Sequence, residues 1–212
     1  MLLHGYWRST ASYRVRIALG LKGLPYVQRN HDLRSGEQES HAYRAVNPQG
    51  LVPAIESDGL VISQSSAIIE WLEETHPLPP LLPPDPGDRA IVRSMAGLIA
   101  CDIHPLNNLR VLKRLRQIAP SSPETPQEWI GHWISEGFVA LESQIRRYGG
   151  DFAFGDEPGL VDCFLLPQLY SAQRFGIDTD SYPSIRAVSD RFASIDTVVA
   201  AHPSRQPDAD PA

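Results

Sequence analysis

The sequence predicts two domains: an α/β domain over residues 1–80 and an all-α domain over residues 88–212. Three observations support this division. The first third of the chain alternates short apolar runs with helical patterns, a proline-rich segment follows, and helical spacing then continues almost to the end. With 212 residues, the chain is long enough for each domain to bury a core of its own.

The N-terminal domain opens with a βαβ pattern. Leu2–Trp7 is a short apolar run, Ser12–Lys22 has apolar residues at helical spacing, and Tyr26–Arg29 resumes a strand. Gly23 and Pro25 stand where a helix between these strands would have to stop. The pattern therefore predicts two parallel strands joined by a helix.

Further elements complete this domain. A polar crossover and two strands come next: Asp32–Ala45, Val52–Glu56 and Leu60–Ser63. The strands flank Asp58-Gly59, a strong hairpin signal. Ala67–Thr75 then has helical spacing, with Ser65 or Ser66 as the expected N-cap. The resulting order β-α-β-α-β-β-α is that of a small thioredoxin-like domain.

The C-terminal domain is predicted to be entirely helical. Residues 76–88 include six prolines and are typical of a stiff linker. Arg89–Arg116 is predicted as one long helix that Pro105 kinks. A loop at Ser121–Pro123, three more helices and a poorly ordered tail follow: Gln127–Tyr148, Leu160–Phe175, Ser184–Ser194 and residues 203–212.

Composition excludes several classes of function. The chain has 19 Lys and Arg against 25 Asp and Glu, so it lacks the basic excess that a nucleic-acid partner requires. We find no apolar run long enough for a membrane span and no secretion signal, and therefore expect a cytoplasmic protein without a membrane partner. Cys101 and Cys163 have no spacing typical of a disulfide framework or a metal site.

The common catalytic motifs for nucleotides, hydrolytic triads and metals are missing, so polar turns are the remaining candidates. The turn Arg8–Ser12 lies between a strand and a helix, where free N–H groups attract anions and a hydroxyl can donate to a thiolate. Ser9, Thr10 or Ser12 can equally serve only as a helix cap. The same two interpretations apply to Gln64-Ser65, and general odds favour a trans peptide between Val52 and Pro53.

Four longer segments carry a family resemblance. They are RSTASYRVRIALGLKGLPY (8–26), NPQGLVP (47–53), SQSSAIIEWLEETHP (63–77) and CDIHPLNNLRVL (101–112). They resemble the zeta class of glutathione transferases, within it most closely the bacterial maleylacetoacetate isomerases, and segments 155–175 and 182–188 extend the match. The resemblance implies the glutathione transferase fold, with glutathione held by the first domain and the substrate by the second.

The resemblance also implies a glutathione site in the first domain. Ser9 would hold the glutathione sulfur, with Thr10 beside it, while Ala11 stands where the family has a cysteine. The remaining implied contacts are backbone of Val52 with a cis Pro53, Gln64 and Ser65 for the γ-glutamyl end, and Gln49 for the glycyl end. A further departure is Gly159, which replaces a capping Ser or Thr three residues before Asp162.

The implied reaction is cis–trans isomerisation of maleylacetoacetate to fumarylacetoacetate in aromatic amino acid catabolism. A thiolate adds to the double bond, the resulting single bond rotates, and elimination restores the double bond. Arg8, His104 and Arg174 would bind the dicarboxylate and its developing charge, and Asn108 either ligand.

Each of these side chains also has a structural interpretation. Arg8 can be a solvated charge, Arg174 can pair with an acid near a helix end, and His104 can bond a carbonyl that Pro105 frees. Arg110 is expected to face away from the site. Trp129 and Trp133 are expected in the core.

Other functions fit the same motifs. Maleylpyruvate isomerisation uses the same thiolate step on a shorter diacid, and a transferase would displace halide from small α-haloacids. A non-catalytic glutathione-binding protein is the third alternative, which the presence of Ser9 disfavours. The resemblance further implies a homodimer.

Overall fold

A computed structural model describes residues 1–118 and 126–210, so the predicted loop at Ser121–Pro123 lies outside the described residues. The strands are β1 Leu2–Gly5, β2 Val27–Asn30, β3 Ala54–Ser57 and β4 Leu60–Ser63. The helices are α1 Thr10–Leu21, α2 His41–Val46, α3 Ser65–Thr75, α4 Pro86–Gly97, α5 Leu109–Ile118, α6 Pro126–Tyr148, α7 Leu160–Arg174, α8 Pro183–Ala193 and α9 Asp196–Ala201. None of the described helices is both long and apolar enough to cross a membrane.

The chain forms two compact units, Met1–Leu81 together with the segment that starts at Ser194, and Leu82–Ala193. The sequence places the boundary at almost the same point but assigns the whole C-terminal end to the helical domain. The difference arises because α9 packs on α1. The buried Arg16 of α1 donates from Nε to the carbonyl of Ala201 at 3.0 Å and attaches the end of α9 to the first unit.

The sheet of the first unit has the order β2-β1-β3-β4. β1 is parallel to β2 and antiparallel to β3, and the β3–β4 hairpin is antiparallel. Asp58 and Gly59 at its tip have φ of 51° and 82°, the backbone that a tight hairpin turn needs. The predicted βαβ unit and hairpin are confirmed, with element ends that differ by one to two residues.

A buried ion pair holds the proline-rich segment on the first unit. Lys22 Nζ lies 2.7 Å from Glu73 Oε2 and also donates to the carbonyls of His76 and Pro79. The same carboxylate oxygen accepts from the Leu81 N–H at 3.0 Å. Because every donor on this ammonium has an oxygen partner, the charge is compensated although both side chains are buried.

The predicted long helix of 89–116 is wrong, because the segment is broken rather than kinked. α4 ends at Gly97, one wide turn covers Leu98–Ile103, a tight 3₁₀ turn covers His104–Asn107, and α5 begins after Asn108. Pro105 fits the first turn of the 3₁₀ segment, where its missing N–H costs nothing. Asn108 then adopts an extended backbone that ends one helix and starts the next.

Glycine makes room for this broken segment. A Cβ on Gly137 of α6 would lie 2.2 Å from Ile103 Cδ1, so glycine at this position leaves room for the Ile103 side chain. Around them the remaining predicted helices are present, as α6, α7 and α8.

Buried carboxylates fix the starts of two helices in this unit. Glu142 accepts from the N–H groups of Ser184 and Ile185 at the start of α8. Asp162 accepts from Gly159 N–H at 2.9 Å and from Ala153 N–H at 2.9 Å. Gly159 is therefore an adequate cap for α7, because the carboxylate half of the capping box remains.

The prediction of a poorly ordered tail over residues 203–212 is wrong for the part that the structure describes. Pro203–Arg205 forms a 3₁₀ turn after α9. Asp208 then accepts from the Trp7 N–H, and Asp210 pairs with Arg34. These partners lie more than 170 residues away in sequence, so no local pattern in the tail reveals them.

Candidate functional site

The turn between β1 and α1 presents a serine at a helix N-terminus. Ser9 is the N-cap of α1, and its Oγ accepts from the Ser12 N–H at 3.2 Å. Its own N–H donates to the Tyr6 carbonyl at 3.1 Å, which closes the turn. A hydroxyl has one proton to donate besides two lone pairs, so capping α1 leaves Ser9 able to donate to an anion. The capping and functional interpretations are therefore compatible.

The same turn contributes a cation. Arg8 is half-buried, its guanidinium lies 5.3 Å from the centre of the Trp7 ring, and it forms no ion pair with any residue that the structure describes. The neighbouring Arg34, in contrast, is neutralised by Asp32 and Asp210. Hydrogen bonds from Arg34 lower the pKa of Asp32. Asp32 therefore remains an anion and stays paired with Arg34. Arg8 is left available for a ligand anion.

Thr10 and Ala11, which follow Ser9, differ in burial and in polarity. Thr10 is buried in the first turn of α1, and Ala11 beside it is half-buried. Ala11 has no group that could react, so a hydroxyl is the only side-chain chemistry that residues 9–11 present.

The loop before β3 is held by hydrogen bonds to the backbone of Leu51, the residue before Val52. The carbonyl of Leu51 accepts from the Tyr43 hydroxyl at 2.7 Å and from Asn47 Nδ2 at 2.6 Å. Burial raises the pKa of Tyr43 to about 12, so its phenol stays protonated and remains a donor. The peptide between Val52 and Pro53 is cis, as the family resemblance implies and contrary to the general odds.

The start of α3 is unusual because no side chain caps it. Ser65 or Ser66 was the expected cap, and this prediction is wrong: Gln64 takes the N-cap position with φ of 75° and makes no side-chain cap bond. A positive φ is rare for a residue other than glycine and concentrates at functional sites. The first N–H groups of this 11-residue helix therefore have no side-chain cap and remain available as donors. Such N–H groups at the positive end of a helix can bind a carboxylate.

Three of the predicted ligand residues meet at this helix start. Gln64 Nε2 donates to Gln49 Oε1 at 2.7 Å, and both side chains are exposed. The Ser65 hydroxyl is buried and accepts from Arg14 Nη1 at 3.3 Å, which brings a buried cation of α1 next to the start of α3. The sequence analysis did not single out Arg14, because its burial in α1 cannot be distinguished from a surface charge by spacing alone.

The helical unit contains the other predicted site residues. His104 is half-buried at the start of the 3₁₀ turn, and Asn108 caps α5 with Oδ1 accepting from the Arg110 N–H at 3.1 Å. Arg174 ends α7 with an exposed side chain, and its guanidinium lies 4.6 Å from the centre of the Phe175 ring. Arg110 is exposed.

The two tryptophans are less buried than the predicted core position implies. Trp129 and Trp133 are both half-buried and stack edge to face at 5.7 Å. Trp129 Nε1 donates to the Leu106 carbonyl at 2.9 Å, so it supports the turn that follows His104. A polar group that the sequence analysis missed lies in this turn: both amide atoms of Asn107 are shielded from solvent and have no hydrogen-bond partner among the described residues.

Comparisons with known proteins agree on one family. Residues 3–80 match the family described as glutathione S-transferase, N-terminal domain. The chain is 50% identical to a maleylacetoacetate isomerase of Pseudomonas aeruginosa, over 98% of each chain. It is 45% identical to a solved maleylpyruvate isomerase, a bacterial zeta-class glutathione transferase, at a TM-score of 0.96 and over 99% and 100% of the two chains.

A second solved structure adds a ligand. The maleylacetoacetate isomerase of Anaeromyxobacter dehalogenans, crystallised with glutathione in its active site, is 46% identical at a TM-score of 0.89. The match covers 99% of the present chain and 97% of that one.

Proposed function

This chain belongs to the zeta class of the glutathione transferases, and from that premise we propose that it isomerises maleylacetoacetate to fumarylacetoacetate with glutathione as cofactor. The observation that carries the proposal is the 50% identity, over 98% of both chains, to a maleylacetoacetate isomerase. The Ser9 turn supports it, since this turn combines a hydroxyl, a helix N-terminus and the cation of Arg8.

The first unit fits glutathione, a tripeptide with two carboxylates and one thiol. The uncapped start of α3, with Gln64 and Ser65, suits the γ-glutamyl carboxylate. The Val52 backbone can pair with the cysteinyl residue, as one strand edge pairs with another. Gln49 is already bonded to Gln64 and is available for the glycyl end.

Bound glutathione supplies the thiolate that adds to the cis double bond and later leaves. Ser9 donates its hydroxyl proton toward the sulfur, and the positive end of α1 favours the thiolate over the thiol. Thr10, the first residue of α1, contributes its N–H to that same positive end.

The substrate brings two carboxylates and develops further negative charge while its double bond is broken. We assign Arg8, His104 and Arg174 to these charges, since cations and donors fixed before the reaction lower the energy of a charged transition state. Asn108 keeps its amide nitrogen for either ligand, because only Oδ1 is used in capping α5.

Maleylpyruvate isomerisation is the second candidate, favoured by the solved maleylpyruvate isomerase that superposes at a TM-score of 0.96. The two diacids differ in length, while the thiolate step is the same. We further propose that the protein acts in the cytoplasm as a homodimer and serves tyrosine degradation, with glutathione bound by residues 1–80 and the substrate by the helical residues after 88.

The deciding experiment measures turnover of maleylacetoacetate and maleylpyruvate side by side, each with and without glutathione. We expect turnover only with glutathione, a higher kcat/KM for maleylacetoacetate, and no loss of free thiol. A higher kcat/KM for maleylpyruvate would select the second candidate. Stoichiometric loss of thiol with an α-haloacid, and no isomerisation of either diacid, would identify a transferase instead.

A further inference from the structure

The backbone N–H and the backbone carbonyl of Trp7 each form a hydrogen bond with a side chain. These side chains link Trp7 to the C-terminal segment. The Trp7 N–H donates to Asp208 Oδ2 at 2.9 Å. The Trp7 carbonyl accepts from Arg16 Nη2 at 3.0 Å, and the same guanidinium bonds the Ala201 carbonyl through Nε. The residue immediately before Arg8 and Ser9 is therefore clamped from its N–H side and its carbonyl side.

The segment that carries Asp208 is itself anchored. Asp208 is half-buried, and two residues later Asp210 accepts two hydrogen bonds from Arg34 Nη1, at 2.8 and 3.0 Å. Gln28 of β2 adds a long contact of 3.5 Å to the other oxygen of Asp208. The carboxylate is thus fixed on the sheet of the same unit and does not depend on the preceding helix alone.

The Trp7 clamp determines where the Ser9 hydroxyl lies. The turn is closed by the Ser9 N–H on the Tyr6 carbonyl, and α1 starts directly after it. The Trp7–Arg8 peptide is held at its carbonyl by Arg16, and the Tyr6–Trp7 peptide is held at its carbonyl by the Ser9 N–H. Asp208 accepts from the N–H of the Tyr6–Trp7 peptide, so this peptide is fixed through both of its polar groups.

We propose that Asp208 is a positioning residue of the isomerase: by holding the Trp7 N–H it keeps the Ser9 hydroxyl oriented toward the glutathione thiol and Arg8 toward the charges of the substrate. This inference rests on the proposed function, since it concerns the same site. It assigns a role to the C-terminal segment, which lies about 200 residues from the turn and touches no reacting atom. The hydrogen-bond acceptor matters here, while the negative charge does not.

The test compares three variants. Asp208→Ala removes the acceptor, and Asp208→Asn keeps an oxygen that can accept from Trp7. Glu74→Ala is the control, because it removes an exposed carboxylate of α3 that takes no part in these contacts. The readouts are the apparent pKa of enzyme-bound glutathione, followed by the ultraviolet absorbance of its thiolate, and kcat at saturating glutathione. Exchange of the Trp7 amide hydrogen reports the bond itself.

We expect Asp208→Ala to raise the apparent pKa of the bound thiol by up to about one unit and to lower kcat at neutral pH by as much as roughly tenfold. Trp7 amide exchange should accelerate in parallel. Asp208→Asn should restore the pKa to near its wild-type value, and Glu74→Ala should leave the pKa and kcat unchanged. A general loss of stability would lower the amount of active protein without shifting the thiol pKa.

An Asp208→Ala protein that folds and keeps the wild-type thiol pKa would overturn the inference, as would an Asn variant that behaves like Ala. Should the Ala variant not fold, wild-type protein decides: saturating glutathione should slow Trp7 exchange, because coupling between two sites is reciprocal. Unchanged Trp7 exchange would then reject the proposal. Failure of wild-type protein to bind glutathione at all would instead reject the proposed function.

Discussion

In the proposed mechanism, single residues at the Ser9 turn serve stability and chemistry together. Ser9 caps α1 through its lone pair and has its proton left for a ligand, while Arg8 is left without a carboxylate partner in the described chain. Such double use means that a substitution at Ser9 changes two properties at once. A variant here needs a control that loses only the cap.

Ser9→Ala should raise the apparent pKa that governs isomerisation and lower kcat at neutral pH, because the thiolate loses a charge-assisted hydrogen bond of about 1.5–3 kcal/mol. The measurement is the pH profile of kcat. The matched control is Ser40→Ala, which removes the equivalent N-cap of α2, where Ser40 Oγ accepts from the Tyr43 N–H at 3.2 Å.

Both variants should lose about 0.5–2 kcal/mol of unfolding free energy with the cap. Only Ser9→Ala should move the pH profile. A similar pH profile in the two variants would remove Ser9 from the mechanism and leave it as a cap.

For Arg174, the proposed contact with the substrate can be distinguished by experiment from a purely structural role. Arg174→Met should lower kcat/KM for a dicarboxylate roughly ten- to a hundredfold, the loss of a charge-assisted contact of about 1.5–3 kcal/mol. Conjugation of glutathione to a neutral electrophile should be spared, because that substrate presents no anion. Both reactions are measured on one preparation, with Arg110→Met as the control for loss of an exposed arginine. Equal losses in the two reactions would show that Arg174 supports the fold.

At the level of elements, the regular helices and the hairpin are set by local patterns, while the breaks are not. The spacing of apolar residues predicts α1, α3 and α6 almost to their ends, and Asp58-Gly59 predicts the hairpin. The wide turn over Leu98–Ile103 and the break at Asn108 are not predicted, because Pro105 alone indicates only a kink and the packing of Ile103 against Gly137 is a tertiary contact. The resemblance supplies the names of site residues, but Asp208 follows only from a hydrogen bond across the chain.

The start of α7 yields a prediction about pH. Burial raises the pKa of Asp162 to about 6, although N–H groups of Ala153 and Gly159 favour its charged form. The folded protein therefore binds this proton more tightly than the unfolded chain, whose pKa is near 3.8. By linkage, the contribution of Asp162 to the free energy of unfolding falls as the pH rises from about 4 to about 6 and is constant above.

Asp162→Asn removes this titration and leaves one N–H without an acceptor. Its loss of stability relative to wild type should accordingly be larger at pH 5 than at pH 7.5, by about 1–1.5 kcal/mol. Denaturant unfolding at the two pH values measures the difference, and Asp190→Asn on the exposed face of α8 is the control. A deficit that is equal at both pH values, or larger at pH 7.5, would contradict the assignment.

At the scale of the whole molecule, net charge and site charge oppose each other. The formal net charge of −6 repels a dianionic substrate at long range, whereas Arg8 in its proposed role attracts the substrate at short range. Salt separates the two effects, because the Debye length falls from about 30 Å at 0.01 M to about 3 Å at 1 M. Repulsion from the whole protein is screened first, and contact with a nearby cation last.

If the site cations dominate, kcat/KM for the dicarboxylate should fall severalfold as ionic strength rises from about 0.01 M to about 1 M at saturating glutathione. Turnover of a neutral electrophile provides the baseline. In Arg8→Met the fall of kcat/KM with salt should be weaker, because one of the attracting site cations is lost while the net repulsion remains. A rate that rises with salt in the wild-type protein would mean that the overall negative charge controls substrate capture. Arg8 would then be a solvated surface charge, which is the alternative interpretation of this residue from the sequence.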